Sequence, residues 1–306
     1  MRRLLTLLAV AALVALVWVT GNQYVLHIAT MVGIMAPLAL SLNLMLKIGQ
    51  LSIAQPAFMG IGAYGSALLA MRLGVPTALS IPLAAVIAAG IAAAVGPIFL
   101  RIKGVYFVLL TYAFGQIVNL IFQEWTSLFG GNNGLHGIPR LSAFGLRLTA
   151  TYEYYLLGVL FTAVTYAAMR AIERSDIGAI YDALNENEAL CRSIGSNALL
   201  WRIAAFTFSA FVAGLSGGMY AYYIGFLSPD PFGFQASVDL IVINAVGGPT
   251  SALGPLLGSV LILPLPELLR DVRQYQLLVY GGCLLVFVVF FRQGLVSLLQ
   301  CRRRML

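Results

Sequence analysis

The sequence predicts an all-α fold, a polytopic transmembrane helical bundle of about 8–10 spans with broken or re-entrant helices. Three observations carry this. The 306 residues are 60% hydrophobic and only 9% charged, where a soluble domain has about 25% charged residues. Apolar runs near the roughly 20 residues that cross a bilayer recur along the whole chain. One long polar stretch, Arg170 to Arg202, interrupts them with nine charged residues, among them five of the chain's 11 acids. Each charge at a bilayer centre costs about 2.5–3.5 kcal/mol or more. That stretch is therefore expected in water, within a single membrane domain covering residues 1–306.

Met1 to Thr20 carries Arg2 and Arg3 before an apolar run. Its small residues lie inside the run rather than after it, so it reads as an uncleaved first span with a cytoplasmic amino terminus. Tyr24 to Leu46 is a second span, ended by Lys47 and carrying Pro37, Ser41 and Asn43. Leu51 to Met71 is glycine-rich and includes Gln55 and Pro56. Val75 to Leu100 is an alanine-rich span closed by Arg101 and Lys103, and Gly104 to Phe122 places Gln116 and Asn119 on one helical face. Residues 123–150 read as loop, with a turn at Gly130–Gly134. Tyr152 to Met169 is the next span.

Within the polar stretch, Ile177, Ile180, Tyr181 and Leu184 make one apolar helical stripe. Asn185 followed by Glu188 has the form of a capping box opening a second short helix, and Gly195 suits its left-handed end. Two short amphipathic helices are expected. Ile203 to Tyr223 is another span, and Phe226 to Gln235 a Pro/Gly-rich turn. Val238 to Leu263 is apolar but broken at Gly247–Pro255, and Leu277 to Phe291 is the last run. Broken helices survive in a membrane only where protein or water covers the freed backbone groups. Both termini are expected in the cytoplasm, which requires an even number of crossings. Nine apolar runs are odd, so either a glycine-rich segment is re-entrant or the broken run crosses twice.

Several chemistries are excluded by composition. The net charge of +7 is spread over span ends, where it sets orientation, and forms no face for nucleic acid. Cys191, Cys283 and Cys301 do not pair at metal-ligand spacing, so no metal is expected. The only lysines, Lys47 and Lys103, close no phosphate-cradling loop, so the chain holds no ATP of its own. Gly60–Gly65 matches G-x-G-x-x-G without the acid that a dinucleotide fold needs about 20 residues later. Gly214–Gly218 matches G-x-S-x-G, yet no histidine follows Ser216 to act as base. Small residues spaced for close helix packing are the better account of both.

Four stretches taken together resemble the integral membrane permease subunits of branched-chain amino acid ABC importers, in particular the M-type of the two paired permeases. They are residues 49–64, 104–114, Gly178 through Gly195 into Ala205–Phe206, and Gly247–Pro255; Pro266–Arg270 and Phe291–Gly294 agree as well. The resemblance runs from about residue 30 to 295. It implies a permease domain in the bacterial inner membrane. It also implies that the 170–202 segment is the coupling loop docking the ATPase, with Gly178, Glu186, Asn187, Glu188 and Gly195 on the family pattern. The implied partners are two ATP-binding subunits holding ATP-Mg, a second permease that is a paralogue or a copy, and a solute-binding protein outside. Asn185 stands where arginine is usual, Pro249 where glycine is common and Gln55 where histidine is common. The last departure leaves urea, short amides or aromatic acids open as solutes beside branched-chain amino acids.

The translocation path is expected to use amides beside apolar walls: Asn43, Gln55, Gln116, Asn119 and Asn244. An ion-coupled secondary transporter would need carboxylates within the spans. Only Asp239 and Glu153 come near one, each at an expected span end.

Overall fold

The computed structural model describes residues 22–143, 146–148, 150–188, 191, 197–268 and 281–282. The first apolar run, the last one apart from residues 281–282, Gly195, Cys283 and Cys301 lie outside the described residues. Helices follow in the order α1 Gln23–Lys47, α2 Gln55–Leu73, α3 Thr77–Phe99, α4 Val105–Glu124, a single turn α5 Thr126–Phe129, α6 Thr151–Arg174, α7 Asp176–Glu186, α8 Ala198–Ile224, α9 Phe234–Gly247, α10 Leu253–Ile262 and α11 Pro264–Leu268. Among the described residues, five helices (α1, α3, α4, α6 and α8) are long and apolar enough to cross a membrane. The 123–150 region also carries a two-residue hairpin, Ser142–Ala143 paired with Leu146–Arg147.

Local signals set the boundaries. The Asn22 side chain accepts the Tyr24 amide at 3.0 Å, and Lys47 sits in the last turn of α1. Pro37 lies inside α1 and cannot donate to the Gly33 carbonyl four residues back. Thr162 of α6 supplies the missing donor, its hydroxyl reaching the Gly33 carbonyl at 2.7 Å. A polar side chain from a neighbouring helix thus repairs the break, as a bilayer requires. At the same crossing a Cβ on Gly33 would lie 3.0 Å from Gly158.

Helices α2 and α8 form the centre. α8 packs along α2 and α3 and also touches α1, while α1 packs along α6. The α2–α8 contact is backbone against backbone: a Cβ on Gly62 would lie 2.5 Å from the Gly214 Cα, and one on Gly217 would strike the Met59 carbonyl. Gly214 also faces Ala85, and Gly218 faces Ile81 of α3. Ser216 is fully buried and its hydroxyl donates to the Val212 carbonyl within its own helix. The G-x-S-x-G and G-x-G-x-x-G sequences are thus two halves of one interface, both in mid-helix. Tyr222 closes it, donating to the Ser66 carbonyl at 2.9 Å with Ser80 Oγ at 2.5 Å. The outward faces of α3, α4 and α6 carry Leu79, Val86, Leu109, Leu120, Leu156 and Leu160, all exposed.

The broken run resolves into a hairpin, and it traverses the bundle twice. α9 descends to a turn at 248–252, where Pro249 accepts from Asn43 at 3.1 Å, beside the Lys47 end of α1. Gly248 takes φ 101°, a conformation that favours glycine. α10 and α11 then climb back along α1 until the Glu267 carbonyl accepts from the Tyr24 hydroxyl at 2.9 Å. α9 has 14 residues and so is about 21 Å long, short of the roughly 30 Å of hydrocarbon. The 226–233 segment makes up the difference by dipping into the bundle. There Phe232 packs on Tyr64 and Phe122, and Pro229 accepts from Asn119 at 2.9 Å.

Three boundaries differ from the sequence reading. α6 continues through Arg170 and Glu173 to Arg174, and Arg202 lies inside α8, so the polar segment proper starts at Ser175. Charged side chains are tolerated at helix ends where they pair or reach the interface. Asn185 caps no second helix; it sits in the last turn of α7, and most of the expected second helix lies outside the described residues. Asp239 is not at a span end either. α9 begins at Phe234, which puts Asp239 more than one turn inside it.

Candidate functional site

The five amides of the expected path are not equivalent. Gln55 is buried between three helices, its Nε2 donating to Ser209 at 2.9 Å and its Oε1 accepting from Ser41 at 3.3 Å. Ser209 in turn donates to the Ser41 carbonyl at 2.7 Å. Asn43 and Asn244 bond to each other at 3.3 Å, and Asn244 also donates to the carbonyls of Ala39 and Leu240. Asn119 accepts from Gln123 at 2.6 Å while holding Pro229. Gln55, Asn43 and Asn244 cross-link helices, and Asn119 ties α4 to the 226–233 segment. Gln116 is brought to none of them. It is half-buried in a small cleft between α4 and α9, beside Tyr112, Phe234 and Ser237.

The described residues of the expected coupling segment, Gly178 and Glu186 to Glu188, lie at the Lys47 end. α6 and α7 meet in a tight elbow at Ser175. A Cβ on the buried Gly178 would lie 2.5 Å from the Ile172 carbonyl and 2.8 Å from that of Glu173, so the elbow closes only around glycine. α7 lays Tyr181 and Leu184 inward, both buried, with Ile180 half-buried beside them. Burial pushes the Tyr181 phenol above its ordinary value. Asn185, Glu186 and Asn187 stand exposed on the outer end. Glu188 turns inward instead, pairing with Arg202 of α8 at 3.0 Å and with Lys103 of the α3–α4 connection. It therefore ties three segments together beneath the exposed end of α7.

Sequence reasoning passed over Glu173. Its carboxylate pairs with Lys47 at the end of α1 and with Arg170 at 2.7 Å, and it accepts the Ala252 amide at 2.8 Å. One side chain thus joins α1, α6 and the α9–α10 turn, just before α7 is reached. A cavity of about 30 Å³ lies alongside, lined by Asn43, Lys47, Glu173, Tyr181 and Asp182. The available signal was the spacing of Arg170 and Glu173, three apart at the end of an apolar run. Lys47 and Ala252 are too distant in sequence to be paired with them by pattern.

The family described as the permease component of branched-chain amino acid transport systems matches residues 24–289. Two similar relatives are the high-affinity branched-chain amino acid transport system permease proteins LivM of Salmonella typhimurium and of Escherichia coli K12. Each is 31% identical over 295 residues, covering 89% of this chain and 69% of the relative. No solved structure matches.

Proposed function

This chain belongs to the permease-component family of branched-chain amino acid transport systems, and from that we propose how its parts divide the work of an ABC importer. It is the membrane permease and not the ATPase. The solute is a branched-chain amino acid, handed over outside by a binding protein. Two ATP-binding subunits carrying ATP-Mg sit on the Lys47 end, which is the cytoplasmic end because Lys47, Arg101, Lys103, Arg170 and Arg174 cluster there. A second permease, paralogue or copy, completes the path. The protein resides in the inner membrane with both termini inside.

The geometry supports a route for coupling. The exposed Asn185–Asn187 end of α7 is the surface the ATPase meets, while Gly178 and Glu188 act from beneath it. Gly178 closes the elbow and Glu188 holds Arg202 and Lys103. A displacement of α7 reaches the α9–α10 turn through Glu173. ATP-driven closure of the partners favours one of two helix arrangements, which is alternating access by differential binding. The carrying observation is the meeting of α1, α6 and the α9–α10 turn on that one carboxylate.

Gln55 gives no reason to prefer urea, because its amide is spent on Ser41 and Ser209. The test is uptake of labelled leucine and urea in a strain lacking this gene and complemented with it. Leucine uptake is the expected result. Restored urea uptake without leucine uptake refutes the amino-acid assignment.

A further inference from the structure

The outward faces of α3 and α6 are apolar through the membrane, as lipid demands. The flank formed by α4 and α9 is not. Gln116 is the twelfth of the 20 residues of α4 and so stands near mid-membrane, yet it is only half-buried. Beside it Tyr112 meets Phe234 of α9 edge-on at 5.2 Å, both rings exposed. Further round α9 come Gln235, exposed, and Asp239, half-buried, linked at 3.3 Å. Phe234, Val238 and Ile241 follow the i, i+4, i+7 spacing that places them on one stripe between these two polar edges.

The depth of this flank is fixed from three sides. The Ile53 carbonyl accepts from Ser237 at 2.9 Å, and the Ile53 amide donates to Thr111 of α4 at 3.2 Å. α9 ends at the turn bound to Asn43 and Glu173. Asp239 and Gln116 therefore lie within the thickness that α4 spans. A carboxylate and two amides at that depth cannot face acyl chains without a large desolvation cost, so such groups line protein or water.

We propose that the α4–α9 flank is the solute-contacting wall of the translocation path. This rests on the amino-acid importer reading above. The chemistry suits a zwitterion with an apolar side chain. Amide N–H groups of Gln116 and Gln235 can meet its carboxylate, the Asp239 carboxylate its ammonium, and Tyr112, Phe234 and Val238 its side chain. Asp239 is a specificity-determining residue in this arrangement, since it distinguishes an amino acid from a neutral amide such as urea.

The experiment uses the whole transporter in membrane vesicles, with Cys191, Cys283 and Cys301 replaced by serine. Gln116→Cys, Gln235→Cys and, as the comparison, Ile117→Cys, exposed at the same depth but about 100° further round α4, are treated with a membrane-impermeant cationic methanethiosulfonate. Labelling at 116 and 235 but not 117, slowed severalfold by leucine under turnover, is expected. Asp239→Asn should lower leucine uptake at least tenfold while ATP hydrolysis by the assembled complex persists. Labelling only by a lipid-soluble maleimide would make this a lipid face and overturn the proposal. So would disulfide formation to the second permease with no reagent access, or full leucine uptake by Asp239→Asn. Reagent access does not depend on which solute is carried. Failure of leucine uptake in the wild-type complex, with labelling intact, would therefore fall on the choice of solute.

Discussion

Replacing Glu173 by glutamine keeps the side chain's size and removes its charge. The Lys47 and Glu173 side chains are 15% and 10% exposed, so this is a largely desolvated pair. Removing one partner of a buried pair costs about 3–5 kcal/mol, because the other charge stays buried and unpaired. Arg170 is about a third exposed and solvent screens its share, so it adds little. The Ala252 amide retains an acceptor in the variant, but a neutral amide oxygen, which is a weaker partner than a carboxylate. The low end of the range applies, about 3 kcal/mol, which is roughly a 150-fold shift in the equilibrium holding the α9–α10 turn against α1 and α6. In proteoliposomes holding the full transporter, leucine uptake by Glu173→Gln should fall at least tenfold while ATP hydrolysis continues, so that the ratio of solute moved to ATP hydrolysed collapses. Lys47→Gln should do the same. Exchanging the two charges should recover only part, because the Ala252 amide would then face a cation. If Glu173→Gln keeps both rates within about twofold of wild type, the link from α7 to the turn does not run through this side chain.

Gly217→Val should prevent stable assembly of the bundle, since its side chain would enter the Met59 carbonyl of α2; loss of the monodisperse peak in detergent size-exclusion chromatography is the measurement. Asn43→Leu and Gln55→Leu should each lower stability by about 0.6–2 kcal/mol, the range for hydrogen bonds between membrane helices, read as a small fall in melting temperature. Glu186→Lys changes an exposed residue and should abolish uptake while leaving insertion and melting temperature unchanged, whereas Glu188→Lys should lower both uptake and melting temperature, because it also breaks the contacts to Arg202 and Lys103. A photoreactive ATP analogue should not label the isolated chain, which has no phosphate-cradling loop.

The helical, membrane-spanning character of the chain was legible in sequence because hydrocarbon imposes a length and a polarity on each span. So were the packing role of the G-x-S-x-G glycines and most of the amphipathic stripe of α7, of which Ile180, Tyr181 and Leu184 turn inward while Ile177 is exposed, since both depend on spacing along one helix. The family resemblance was carried by short local motifs of the same kind. What pattern could not supply was anything set by contact between distant segments. Gln55 and Gln116 are the same residue type in apolar runs, yet one is consumed between Ser41 and Ser209 and the other lines an open cleft. Asp239 looked peripheral until the dipping 226–233 segment moved the start of α9 back to Phe234. The broken run crosses twice because Gly247 and Gly254 pack backbone to backbone and its turn is held by Asn43 and Glu173. Spacing along the chain determines which faces a helix has. Only the packed bundle decides what each face meets, because a side chain's partner can lie far off in sequence, as Ala39 lies 205 residues from Asn244.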